Sequence, residues 1–175
     1  MPQSQDLLKD WHEFYLLIGT AAAALIALLF VAASIGAGFM PPERAAARRT
    51  YMSPVIFHFT SILCVSLVVL VPSHPRESHS LLIGLNGVVG AVASAVISAR
   101  LLRYSGVDWF DHIGYGAAPI VSYVGVISAA VALFCNSTVA PEVLAAALVV
   151  LLIANIRNAW DLALTLANRR IGSPQ

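Results

Sequence analysis

The residues best equipped for chemistry sit where charge is most expensive. Inside a long apolar run lies Asn155-Ile-Arg157-Asn158-Ala-Trp160-Asp161-Leu. At about 100° per residue on a helix, Asn155, Arg157, Asn158, Asp161 and Thr165 fall within about 160° of arc, with Ile156, Ala159, Ala163 and Leu166 opposite. A charge near the centre of a bilayer costs on the order of 3 kcal/mol, so such residues normally face protein or water. Three uses fit this stripe. Arg157 and Asp161, four apart, can neutralise each other and staple their helix to its neighbours. The stripe can also line a proton, ion or solute path, or Arg157 can snorkel to the nearer interface.

His58 is the second candidate. It lies about six residues, roughly 9 Å, from the inner boundary of its apolar run, a depth close to that expected for Asp161. A His58–Asp161 hydrogen bond is one expectation, and a hydroxyl partner such as Ser122 or Thr60 is the other. A bis-histidine haem would need a second histidine at matching depth, and the other apolar runs have none. His12, His74 and His79, with Glu13 and Glu77 nearby, have donor types suited to zinc or copper. Their loose spacing reads instead as solvated loop residues, and no metal or cofactor is expected. There is no Gly-x-Ser-x-Gly, no His-Glu-x-x-His, no phosphate-binding glycine loop and no paired catalytic carboxylates, so an enzyme is not the expectation.

What must position these residues is a set of apolar helices. Of 175 residues, 59% are hydrophobic and 11% charged, against roughly 25% charged in a soluble domain. A water-facing surface cannot be covered with so few charges, whereas a bilayer takes up the excess apolar area. The net charge of +1 provides no field for nucleic acid. The two cysteines, Cys64 and Cys135, both lie in apolar runs and make no disulfide framework. Five runs approach the roughly 20 apolar residues a span needs: about 14–39, 52–71, 81–99, 113–135 and 143–168. Prolines punctuate them. Pro119, several residues into the fourth run, should kink that helix or delay its start. The first run is too long, and its leader too acidic, for a cleaved signal peptide.

The expected fold is therefore all-α, one integral membrane bundle of five transmembrane helices. Arg44, Arg48, Arg49, Arg100, Arg103, Arg169 and Arg170 fall on one side, and only Lys9 and Arg76 on the other. Seven against two predicts the N-terminus out and the C-terminus in. Trp11, Phe14 and Tyr15 at the outer end, and Tyr51, Tyr104, Trp109 and Phe110 at the inner end, are expected as interfacial anchors. Close packing should come from small residues. The third run carries Gly87-x-x-x-Ala91-x-x-x-Ala95 and Gly90-x-x-x-Ser94-x-x-x-Ser98, which makes it the expected centre of the fold. Such ridges serve packing within one chain or a homo-oligomer interface. Alanine, valine and leucine richness, with arginine preferred to lysine, is associated with GC-rich bacterial genomes and suggests a bacterial inner membrane.

The opening Trp11-His-Glu-Phe-Tyr15-Leu-Leu-Ile-Gly19-Thr20-Ala-Ala-Ala-Ala-Leu and the late Asn158-Ala-Trp160-Asp161-Leu resemble the two ends of a family of small uncharacterised bacterial multi-pass membrane proteins. The resemblance implies the span layout and no particular activity. The function expected is a structural or regulatory membrane component acting through helix–helix association, with itself or in a larger membrane complex. The alternative is an oligomeric ion, proton or small-solute channel or transporter using the fifth-helix stripe.

Overall fold

The computed structural model describes residues 8, 10–37, 45–72, 75–101 and 116–171. It is all-helical, with five helices and no strand among the described residues: α1 (His12–Ala37), α2 (Ala45–Leu70), α3 (Arg76–Leu101), α4 (Ala118–Phe134) and α5 (Ala140–Ile171). Three stretches are long and apolar enough to cross a membrane: His12–Ser34, Arg76–Ala99 and Ala140–Asp161. The apolar stretches Pro54–Leu70 and Ala118–Phe134 are shorter.

Local chemistry sets the helix ends. Glu13, Glu77 and Glu142 occupy the first turns of α1, α3 and α5, where a carboxylate meets the positive end of the helix dipole. Pro75 precedes α3, and its carbonyl accepts from the N–H groups of Ser78 and His79 at 3.0 and 3.1 Å. Pro119 lies in the first turn of α4, where its missing N–H removes no helical bond. The two residues before α4, Gly116 and Ala117, are already helical in a wider π turn, and Ala117 has φ −66° and ψ −44°. Pro54 does lie inside α2 and takes away the donor for the carbonyl four residues earlier.

α4 and α5 are joined by a Schellman turn. Cys135 N–H donates to Val131 O at 2.9 Å, Ser137 N–H to Ala132 O at 2.9 Å and Asn136 N–H to Leu133 O at 3.1 Å. Asn136 takes the left-handed conformation this motif needs, with φ 59°. At the same end of the bundle, Tyr15 is fully buried and donates its hydroxyl proton to Pro141 O at 2.9 Å. The expected interfacial anchor is thus a core residue that fixes the start of α1 to the start of α5.

The helices form a ring in chain order, closed by a slight α1–α5 seam and crossed by an α2–α5 contact. The most extensive interfaces are α3–α4, α4–α5 and α1–α2. Phe59, Ile62, Tyr123, Val126, Leu148 and Leu151 form the middle of the core. The centre is shared by α2 and α5, each packed on three helices. This corrects the expectation for α3, which packs chiefly on α4 and α2 and exposes Leu81, Leu85, Val88 and Val92 along its outer face. Its small residues do serve packing within the chain. Gly87, Gly90 and Ser94 are buried against α4, where an added Cβ at Gly87 would lie 2.7 Å from Ile127 Cγ1. Small residues draw two backbones together wherever they share a face. They do not specify that the helix is surrounded.

Candidate functional site

The strongest polar constellation of the bundle begins at a missing side chain. Tyr123 on α4 lays its ring over Gly90 on α3, in the space a Cβ would need. That notch lets a fully buried tyrosine reach past α3 to α2. A buried phenol needs a hydrogen-bond partner, and Tyr123 finds His58: its oxygen is 2.9 Å from Nδ1. The rings sit 5.6 Å apart at 41°, and the edge of Phe57 closes another side of the imidazole at 5.5 Å.

One turn along the same face of α2, Ser61 donates to Asn86 Oδ1 on α3 at 2.7 Å. The spacing from His58 to Ser61 is i, i+3, which places both on one stripe. Four polar groups from three helices thus share one interior patch. Each such bond is worth about 1 kcal/mol, but a buried group left without a partner costs about 1–3 kcal/mol. The cluster therefore fixes which faces of α2, α3 and α4 meet.

The α5 stripe is divided. Asn155 and Asn158 are buried, and Asn155 Nδ2 donates to Leu151 O at 2.9 Å while its Oδ1 has no partner. Arg157 and Asp161 face away, with side chains 45% and 43% exposed and Arg157 Nε 3.9 Å from Asp161 Oδ2. The width of the arc explains this. The core direction of α5 is set by Leu148 and Leu151, and Asn155 follows it, whereas Arg157 stands about 160° away at the far edge. Ile153, Ile156 and Trp160 share the exposed side with Arg157.

His58 and Asp161 are not brought together. His58 is level with Tyr123 through their bond, and Gly125, half a turn along α4, abuts Ala147 of α5. From Ala147 to Asp161, α5 climbs roughly 21 Å. Neither of the hydroxyls named from sequence serves His58: Ser122 donates to Ala118 O and Thr60 to Ile56 O, each within its own helix. Tyr123 and Ser61 are the residues sequence reasoning missed. The usable signal was a lone tyrosine in mid-run, which must place its hydroxyl somewhere, and a glycine on a neighbouring helix to let it pass.

Of the metal candidates, His12 is exposed and His79 buried, and His74 lies outside the described residues. Among the described residues no three His, Cys, Asp or Glu side chains group as metal ligands. Thr165, Tyr51, Tyr104, Trp109 and Phe110, or their side chains, also lie outside the description. No family model matches this chain, and neither a curated protein nor a solved structure is similar to it.

Proposed function

We propose that this chain is a five-span protein of a bacterial inner membrane, N-terminus out and C-terminus in, acting through helix–helix association as a structural or regulatory component. The observation that carries this reading is where the polar groups go. Deep in the bundle, His58 pairs with Tyr123 and Ser61 with Asn86, two bonds that tie α2 to α4 and to α3. The charges of α5 stand on its outward flank. That arrangement suits a bundle that holds a shape better than one that passes a solute through its own middle.

Helix lengths support a different membrane position for the charges than sequence suggests. α5 runs 32 residues, Ala140–Ile171, or roughly 48 Å, well over the roughly 30 Å of a hydrocarbon core. With Pro141 at the outer boundary, Arg157, Trp160 and Asp161 come to the inner one, as a snorkelling arginine beside an aromatic anchor. The seven-to-two arginine and lysine count gives the orientation, and the two end motifs give the proposed kinship with small bacterial multi-pass proteins.

The channel reading draws on one observation, the unpartnered and buried Asn155 Oδ1. Proteoliposomes separate the two. Ion and proton flux no higher than in empty vesicles, with a defined oligomer or complex recovered from the membrane, supports the structural reading. Flux that falls in Asn155→Leu or Asp161→Asn overturns it. Single-cysteine labelling at both chain ends in intact cells checks the orientation.

A further inference from the structure

We infer that the bundle binds water inside itself, a small ordered group held by Ser94, Asn155 and the Thr50 carbonyl in a layer marked by Pro54 and Pro119. One bond locates the layer. Helices α2, α3 and α4 alternate in direction, so α2 and α4 run the same way. His58 and Tyr123, which touch at 2.9 Å, each stand four residues after a proline. Pro54 and Pro119 are therefore level, about one turn before that bond, on the faces that carry it. Close contacts place the other two helices. Gly90 abuts Tyr123 and Gly116 abuts Ser98, so Ser94, midway on α3, comes level with Pro119 and Ile120. Gly125 abuts Ala147, which brings Asn155 on α5 level with Ala117. Along α4 the two differ by roughly 4 Å.

Each of these helices brings an oxygen that its own structure does not satisfy. Pro54 lies inside α2, so Thr50 O has lost its N–H donor. Ser94 and Asn155 are fully buried, yet Ser94 Oγ and Asn155 Oδ1 have no hydrogen-bond partner. Ser98, Ser122 and Ser128 donate to the carbonyl four residues earlier; Ser94 does not. In a membrane bundle, ordered water is one of the means by which carbonyls freed by proline are met. Counting protons names the guest. Asn155 Oδ1 and Thr50 O only accept, and Ser94 has a single proton to give. Water donates two and accepts two, and a buried water typically makes about three bonds to such groups. A cation would find no counter-charge, because Asp161 stands half-exposed on the outward flank of α5, and an unpaired buried charge is far costlier than a neutral guest. The site goes beyond the structural reading of the bundle and does not depend on it.

The test is solid-state NMR of proteoliposomes carrying 15N-asparagine-labelled protein, read as magnetisation transfer from water protons to the Asn155 side-chain amide. Asn155 is assigned by difference from Asn155→Leu. Despite its burial, the wild-type amide should receive magnetisation as readily as that of exposed Asn136. Ser94→Ala removes the hydroxyl of the layer and should abolish most of that transfer, while Asn86, eight residues away on α3 and bonded to Ser61, is unchanged. Pro54→Ala returns an N–H to Thr50 O and should weaken the transfer in the same way; it decides the matter if Ser94→Ala does not fold. A dry Asn155 amide in the wild type overturns the inference. Transfer left intact by either folded variant does the same, as the water then comes from outside the layer. So does an Asn155 resonance that shifts when lithium replaces sodium, the mark of a bound cation.

Discussion

Two glycines on one face of α3 should respond to the same substitution with opposite sign. At Gly90 a methyl group would occupy space already held by the Tyr123 ring, and Tyr123, fully buried, has no free direction in which to move. Overpacking costs about 1–3 kcal/mol. Displacing the phenol also leaves His58 Nδ1 and the Tyr123 hydroxyl without each other, about 1–3 kcal/mol more. Against this stands the gain of about 1 kcal/mol when alanine replaces a helical glycine. Gly90→Ala should therefore lose about 1–5 kcal/mol. At Gly84 the nearest atom to an added Cβ is Ala130 Cβ at 3.5 Å, ordinary contact. Gly84→Ala should keep most of its helical gain, being neutral or up to about 1 kcal/mol more stable. Equilibrium unfolding in mixed micelles with increasing SDS, followed by tryptophan fluorescence, measures both. Equal effects at the two positions would refute the reasoning, since nothing but the Tyr123 ring separates them in chemistry.

Three further outcomes follow from the geometry. At φ 59° asparagine is tolerated because its short polar side chain can hydrogen-bond locally, so Asn136→Ala should destabilise by up to about 1 kcal/mol, part of the roughly 1–2 kcal/mol that this conformation costs a residue with a Cβ, while Asn136→Gly should hold or gain stability; the same unfolding assay compares them. Asn155→Leu replaces a buried group whose Oδ1 is unpartnered with an apolar one, and should be neutral or stabilising by about 1 kcal/mol. A loss of several kcal/mol there would mean that Oδ1 holds a partner essential to the fold. Asp161→Asn breaks a loose, half-exposed pair at 3.9 Å and should change stability by no more than about 0.5 kcal/mol, as solvent and headgroups screen such pairs.

Helices were legible in this sequence because apolar runs and prolines state them directly. The packing role of Gly87 and Gly90 could be read the same way. Azimuth and register could not. A polar arc of about 160° on α5 suggests one shared surface, yet only its Asn155 edge points to Leu148 and Leu151, and Arg157 is left outside. Depth failed for His58 because boundaries drawn from composition do not fix the register of one helix along another, and the Gly125–Ala147 contact sets that register between α4 and α5. Tyr15 is a similar lesson: an aromatic near a span end looks like an anchor until a backbone carbonyl, that of Pro141, is found beneath its hydroxyl. Such partners come from other helices, and single-helix patterns contain no information about them.

The α2–α5 contact that crosses the ring has a consequence for the order in which the molecule is built. During synthesis α1 and α2 can pair as soon as both exist, and α3 and α4 can pair next, each as an antiparallel hairpin of neighbours in sequence. Until α5 emerges, the two hairpins are joined chiefly by the modest α2–α3 contact. The fifth helix then touches α1, α2 and α4 together. It works as a keystone: a ribosome stalled before Ala140 would leave one chain holding two loosely joined hairpins, a single helix short of the closed bundle.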